Sequence, residues 1–286
     1  MTRQERWTPY FFLAPALLLI IAFRFLPALA GIRESLFGVS FLSDAGKVFI
    51  GLDNFKTIFS DKTFIQSIRV TVLFNLIVNP LQILIALGLA VLVNQNVRGI
   101  GFFRSILLLP VAVSLAISSI IGGMAMDQSG LLNGILISLG LPQQSFILSS
   151  RTALASIIGL SSWIGCPFWM LFLLAGMQNI SNDFYESASI DGGNAWVKFT
   201  RITLPLLRRS LAFVLVSDTV ANFLLFIPIF ILTSGGPELS TSTVMYEAYR
   251  RGLVYGDIGA SSAMVSVLLI FIILVIAIEF YLTRSD

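Results

Sequence analysis

Six apolar runs, each about 20 residues long, leave this chain few ways to fold in water. They lie near Pro9 to Ala30, Ser67 to Val93, Phe103 to Met124, Ala153 to Met177, Leu211 to Leu232 and Ala260 to Leu282. A run of that length crosses the hydrocarbon core as a helix, because a helix satisfies its own backbone N–H and C=O groups where no water can. Charged residues make up 12% of the chain and hydrophobic residues 56%, against ~25% charged in soluble domains. Its 286 residues would otherwise suggest about two soluble domains. The apolar runs override that and predict one all-α integral membrane domain over residues 1–286, with about six transmembrane helices and no internal repeat.

Several kinds of chemistry are excluded early. The chain has no His and one Cys, Cys166, which lies in an apolar run and cannot form an internal disulfide. The carboxylates are scattered, so no metal-ligand cluster is expected. Gly46-Lys47 lacks the upstream Gly and the following Ser or Thr of a phosphate-binding loop. If the protein works with ATP, another chain binds it. The net charge of +3 does not indicate nucleic acid, since membrane proteins keep Lys and Arg beside their cytoplasmic ends. Arg3 and Arg6, Arg98 and Arg104, Lys198, Arg201, Arg208 and Arg209, and Arg284 all fall on one side of a six-span arrangement. That side, carrying both termini, is expected to be cytoplasmic. A cleavable signal ending at Ala28-Leu29-Ala30 is the rival reading of the first run, but Arg24 and Pro27 interrupt it just before the cleavage point. The first run is therefore read as a span.

Between the fourth and fifth runs lies a polar island, from Asn182 to Pro205. Asn182 or Asp183 is expected to cap a first short helix, with Glu186 in its opening turn where the helix dipole favours an acid. Tyr185, Ala188 and Ser189 share one face at helical spacing, and Asp191-Gly192-Gly193 supplies a turn. Asn194 can cap a second helix carrying Trp196, Phe199 and Ile202, which ends at Leu204-Pro205. Pattern alone fits two readings equally: an amphipathic hairpin lying on the headgroups, or a dock for another protein.

The island resembles the EAA loop of the permease subunits of ATP-binding-cassette (ABC) importers, whose pattern is E-A-A, three residues, G, nine residues, I, one residue, L-P. Glu186, Ala188, Gly192, Ile202, Leu204 and Pro205 match it, with Ser187 at the central alanine. Short matches elsewhere resemble the carbohydrate-uptake permeases of maltose and glycerol-phosphate type: Gly51-Leu52-Asp53-Asn54-Phe55, Arg98-Gly99 with Phe103-Arg104 and Leu109-Pro110, and Thr233 to Pro237. Val70 stands where that family often has asparagine. The resemblance implies a permease subunit in the bacterial inner membrane that forms half of a pathway for an oligosaccharide, glycerol phosphate or glycosylated polyol. It also implies a transport role, not an enzymatic one, with no cofactor on this chain and with ATP and Mg on a partner ATPase. The implied partners are a second homologous permease, a cytoplasmic ATPase dimer and an extracytoplasmic solute-binding protein. Residues 182–205 then form the coupling loop, and Glu186, Ser187, Ala188, Asp191, Gly192, Ile202, Leu204 and Pro205 inherit contact with the ATPase. The alternative is a self-contained secondary transporter or channel that uses no ATP.

A charge inside a span is costly and usually faces water, a partner or a pathway. Asp218, with Asn222 one helical turn on, is the clearest candidate for contact with solute hydroxyls. The plainer reading puts Asp218 near the cytoplasmic end, paired with a basic group. Trp163 and Trp169 offer rings for sugar C–H faces, and Asn75 and Asn79 offer amides, as further candidates. Pro80 and Pro167 suggest helix interruptions beside a cavity. Arg24 and Glu279, near span ends, read as snorkelling or pairing residues.

Overall fold

In the computed structural model, residues 3–39, 46–95 and 97–283 are described, and Arg284 lies outside them. The chain runs α1 (Arg3–Ile20), α2 (Leu26–Glu34), β1 (Phe37–Val39), β2 (Lys47–Phe49), α3 (Asp53–Ser60), α4 (Lys62–Val93), α5 (Ile100–Leu107), α6 (Leu109–Ala112), α7 (Leu115–Met126) and α8 (Leu131–Ser138). It continues with α9 (Ala153–Gln178), α10 (Asn182–Ile190), α11 (Ala195–Lys198), α12 (Leu204–Leu206), α13 (Arg208–Phe223), α14 (Ile227–Leu232), α15 (Val244–Tyr249) and α16 (Ile258–Thr283). Wide π-type turns at Ile21–Phe25, Phe199–Thr203 and Arg250–Val254 join neighbouring helices.

Among the described residues, six segments are long and apolar enough to span a membrane: Tyr10–Glu34, Lys62–Val93, Leu115–Ser138, Ala153–Gln178, Arg208–Leu232 and Ile258–Leu282. Five coincide with the expected runs. The third does not, because the run from Phe103 to Met124 is broken. Val113 is extended (φ −101°, ψ 144°) and Ser114 caps α7, its Oγ accepting from the Ile117 amide at 3.4 Å. The expected breaks at Pro80 and Pro167 are absent, since α4 and α9 run through both. One lost N–H is tolerable where neighbouring helices hold the flanking turns. The outward faces are apolar, with Leu76 and Leu84 on α4 and Ile273 and Leu274 on α16 exposed, as lipid contact demands.

Contacts divide the chain into two compact units. The first holds residues 1–65 and 247–269. Here a small antiparallel hairpin accompanies the helices, pairing Phe37 with Phe49, Gly38 with Val48 and Val39 with Lys47. The Gly-Leu-Asp-Asn-Phe stretch acquires a physical role. Gly51 takes φ +60°, Asp53 opens α3, and buried Asn54 donates to the Ser35 and Phe37 carbonyls at 2.8 and 2.9 Å. Arg251 pairs with Asp61, and Arg250 with Glu247 at 3.1 Å. A Cβ on Gly259 would strike the Phe37 carbonyl and lie 2.8 Å from Asn54 Nδ2. Gly259→Ala is therefore expected to cost about 1–3 kcal/mol, read as a lowered thermal midpoint of the purified protein. An unchanged midpoint would mean that the hairpin yields freely.

The second unit holds residues 66–246 and 270–286. Its core brings α4, α9 and α13 together through Ala86, Ala90, Met170, Leu173, Leu207 and Val214. Small residues allow the close approach that drives packing where lipid removes the hydrophobic incentive. A Cβ on Gly176 would lie 2.7 Å from Leu207 Cδ1, and one on Gly123 would meet Leu232 of α14. Asn133 of α8 ties its loop by donating to the Asp127 and Gln144 carbonyls, each at 3.0 Å.

Candidate functional site

Asn75, Asn79 and Gln82 recur at helical spacing and put a row of amides on one face of α4. Asp218, Thr219 and Asn222 face them from α13, and Glu279 joins from α16. Asn222 Nδ2 stands 2.9 Å from Asn79 Oδ1, 3.0 Å from Gln82 Oε1 and 3.1 Å from Asp218 Oδ1. Its two N–H bonds thus serve three acceptors. Asn79 Nδ2 donates to Thr219 Oγ1 at 3.0 Å, and Thr219 donates to Glu279 Oε1 at 2.7 Å. An unbroken hydrogen-bonded chain thereby links three helices through the interior of this unit. Such groups are retained in an apolar interior only when they satisfy one another.

The ion pair of the plainer reading of Asp218 does not form among the described residues. The Asp218 side chain is 1% exposed, about midway along the Arg208–Leu232 span. Glu279 is likewise held by Thr219 in place of snorkelling. Two cavities flank the network. One, of about 390 Å³, is lined by Gln82, Ser161, Trp169, Asp218 and Asn222, with Pro110, Val111, Val113 and Leu115 along the broken third span. Buried Ser161 Oγ has no hydrogen-bond partner among the described residues, and the Trp169 side chain donates toward the Asp218 carboxyl. The other cavity, of about 560 Å³, takes Asn75, Asn79 and Glu279. Asn75 itself donates back to the Thr71 carbonyl at 2.8 Å.

Trp169 is 7% exposed and packs its ring edge-on to Phe168, with centroids 4.9 Å apart. Trp163 lies elsewhere: it is half exposed and lines a largely apolar cavity with Ile121, Gly122 and Leu160. Of the six span residues singled out in the sequence, the structure therefore groups Asp218, Asn222, Asn79, Asn75 and Trp169 around one network and separates Trp163. Gln82, Thr219 and Ser161 join the site without having been singled out. Gln82 continues the Asn75 and Asn79 spacing by three residues, a signal present in the sequence. Ser161 sits beside other helical serines with nothing to distinguish it. Gly165 makes room for Gln82, since a Cβ there would lie 3.2 Å from the amide nitrogen.

The polar island folds as a helical pair. Its first cap is Ser181, one residue before the expected caps, with its Oγ accepting from the Asp183 amide at 3.3 Å, so Asn182 and Asp183 lie in the first turn of α10. Gly192 takes φ +79° and Gly193 donates its N–H to the Ala188 carbonyl at 2.7 Å. Asn194 caps α11 as expected, accepting from the Val197 amide at 2.9 Å. Two ties clasp the pair: Tyr185 Oη lies 3.0 Å from Thr203 Oγ1, and Lys198 Nζ donates to Ser189 Oγ at 2.6 Å. Glu186, Ser187, Asp191, Gly192, Leu204 and Pro205 are exposed, while Ala188 and Ile202 are half-buried. The apolar side chains of Ile190 (87% exposed) and Trp196 (70%) project from it. A hydrophobic tip on an otherwise polar element marks a contact surface.

No family model matches the chain. Curated relatives match over nearly its whole length. The sn-glycerol-3-phosphate transport system permease protein UgpA of Agrobacterium fabrum is 33% identical over 279 residues, 95% of this chain and 93% of that protein. UgpA of Escherichia coli O157:H7 is 33% identical over 277 residues, 96% and 93% of the two chains. UgpA of Brucella abortus is 33% identical over 287 residues, 98% and 96%. Among solved structures, a bacterial alginate ABC transporter in complex with an alginate pentasaccharide-bound periplasmic protein superposes with a TM-score of 0.85 at 22% identity, over 98% of this chain and 95% of that one. A bacterial ABC transporter involved in alginate import gives 0.84 at 23% identity, over 98% and 96%. These two likenesses concern the fold.

Proposed function

We propose a mode of action that starts from family membership: this chain belongs to the permease subunits of ABC importers, a multi-pass inner membrane transport subunit and not an enzyme. That membership sets aside the self-contained transporter or channel. In our reading residues 1–286 act as one permease domain with both termini in the cytoplasm, as the Lys and Arg of the short loops favour. The chain contributes half of a solute pathway, and a second, homologous permease supplies the other half. An ATPase dimer on the cytoplasmic face binds ATP and Mg, and an extracytoplasmic binding protein delivers a sugar or sugar-like solute.

The observation that carries the coupling role is the clasped pair 182–205, with Ile190 and Trp196 exposed at its tip. Two helices fixed to each other at both Tyr185 and Lys198 move as one body. ATP-driven closure of the ATPase dimer then displaces the pair and, through the π turn into α12 and α13, biases the spans between two states. A bias of this kind requires contacts that differ between those states. The polar network supplies candidates for such contacts. We place Asp218, Asn222, Asn75, Asn79 and Trp169 on the solute path because they line the two cavities beside the network, polar groups set in otherwise apolar walls.

Cross-linking tests the docking. With the native Cys166 buried, Ile190→Cys offers one accessible thiol. In membranes holding the complete importer it is expected to cross-link to the ATPase subunit, at a yield that changes when ATP is added. A thiol that reacts only with lipid-soluble reagents would place the pair on the bilayer surface and overturn the assignment.

A further inference from the structure

A guanidinium sits well inside the first span with nothing of its own chain around it. No residue from Tyr10 to Glu34 is buried, and Phe23 and Phe25, either side of Arg24, are 75% and 60% exposed. The span is held to its own unit at its far end, where Glu34 pairs with Lys47 at 2.6 Å and the Arg33 guanidinium stands 5.4 Å from the centre of the Phe37 ring. Lipid tails can cover the apolar side chains, but they offer Arg24 no acceptor, and arginine keeps its proton. Among the described residues no ion pair includes Arg24. Resting on the two-permease reading above, we propose that Arg24 is an assembly residue whose guanidinium pairs, inside the membrane, with a carboxylate carried by a span of the second permease.

Depth sets lipid phosphate aside. Arg33 follows nine residues later at the boundary of the span, so Arg24 lies about 13 Å below it. Tyr10, at the other boundary, is fourteen residues away, about 21 Å. Side chains on a helix lean toward its N-terminus, which carries the guanidinium away from the nearer boundary and toward the middle of the bilayer. Snorkelling serves Lys and Arg near span ends and leaves this charge short of both surfaces. Orientation does not call for it either. With the amino terminus in the cytoplasm, Arg24 stands in the extracytoplasmic half, whereas the cations that fix topology gather at cytoplasmic ends.

The backbone changes at the same depth. Arg24 belongs to the wide turn Ile21–Phe25, in which the Leu26 N–H donates to the Ile21 carbonyl, and turns of this kind concentrate at functional sites. Pro27 follows and has no N–H to offer the Phe23 carbonyl one turn back. Both departures from regular α-helix fall beside the charge. Of the side-chain acceptors a partner span can present, a carboxylate alone cancels the charge, and its two oxygens match the planar fork of the guanidinium.

The test uses membranes holding the complete importer with a tag on this chain, and reads how much second permease and ATPase subunit copurify. Arg24→Leu removes a charge that opposes insertion, so a residue that merely snorkels to lipid phosphate would be replaced without loss. The expectation here is the opposite. At an unchanged membrane level of the tagged chain, the second permease is expected to fall about tenfold, since its carboxylate is left unpaired, and uptake to fall with it. The ATPase subunit stays bound at 182–205. Arg24→Gln, which keeps hydrogen bonding without charge, is expected to behave like Arg24→Leu, and Arg24→Lys to retain more of the second permease than either. Arg24→Glu is expected to recover assembly when one intramembrane Asp or Glu of the second permease, each tried in turn, is replaced by Lys. Undiminished second permease with Arg24→Leu, Arg24→Gln equal to Arg24→Lys, or no recovery of Arg24→Glu by any such reversal would each overturn the proposal. Failure of the two-permease reading would look different, because the unaltered chain would then copurify with no second permease at all.

Discussion

Replacing Asn222 with leucine is expected to abolish uptake and to lower the thermal midpoint of the purified permease by several degrees. The branched heavy-atom skeleton is kept, while every polar contact of the amide is lost. Asn222 Nδ2 serves Asn79, Gln82 and Asp218, and without it three buried acceptors lose a donor at once. An unsatisfied buried acceptor costs about 1–3 kcal/mol, although hydrogen bonds between membrane helices average nearer ~0.6 kcal/mol. A total on the order of 3 kcal/mol follows. For stability, Asn75→Leu is the matched control, because Asn75 donates only to the Thr71 carbonyl of its own helix. Thermal unfolding followed by size-exclusion chromatography, with uptake measured in parallel, checks both. Equal thermal midpoints of the two variants would mean that the α4–α13 network is not a linked unit.

Gly192→Val is expected to reduce uptake at least tenfold and to release the ATPase subunit during purification, while the membrane-embedded helices keep their stability. A Cβ added at Gly192 would meet nothing within 4 Å, so crowding is not the cause. The cause is its φ of +79°. A β-branched residue in that region costs roughly 1–2 kcal/mol, and the turn relaxes toward negative φ. Relaxation swings α11 away from α10 and parts Lys198 from Ser189 and Tyr185 from Thr203. Copurification of the ATPase with the detergent-extracted permease gives the readout. Retained binding with full uptake would show that the turn does not set the docking geometry.

Local features are the most legible in the sequence. Six apolar runs announce six spans, and the island from Asn182 to Pro205 carries its turn and its second cap in residue types that act on their own neighbours. The first cap falls on Ser181 and not on Asn182 or Asp183, because all three are good cap residues and one turn of backbone decides where the helix starts. The break in the third span escapes a hydropathy reading, since Val113 and Ser114 sit within an apolar run and hydropathy does not report backbone direction. What joins distant segments is harder to see. Asn75 and Asn79 show their spacing in α4, and Gln82 extends it, but nothing in the sequence states that this face meets Asp218 and Asn222 of α13. Thr219 and Glu279 depend on the same unseen meeting. Trp163 and Trp169 are alike in composition and differ only in which side of α9 they occupy.

An unbroken helix across a bilayer is a strut that shifts only as a whole. The interruption at Val113 and Ser114, at the entry to the Leu115–Ser138 crossing, gives the chain a knee, where backbone hydrogen bonding stops and starts again. Torsional change at two residues is then enough to tilt the segment on one side while the segment on the other keeps its anchorage in the lipid. Since Pro110, Val111, Val113 and Leu115 border the smaller chamber, flexing of that knee alters the chamber's shape without unpacking the rest of the bundle.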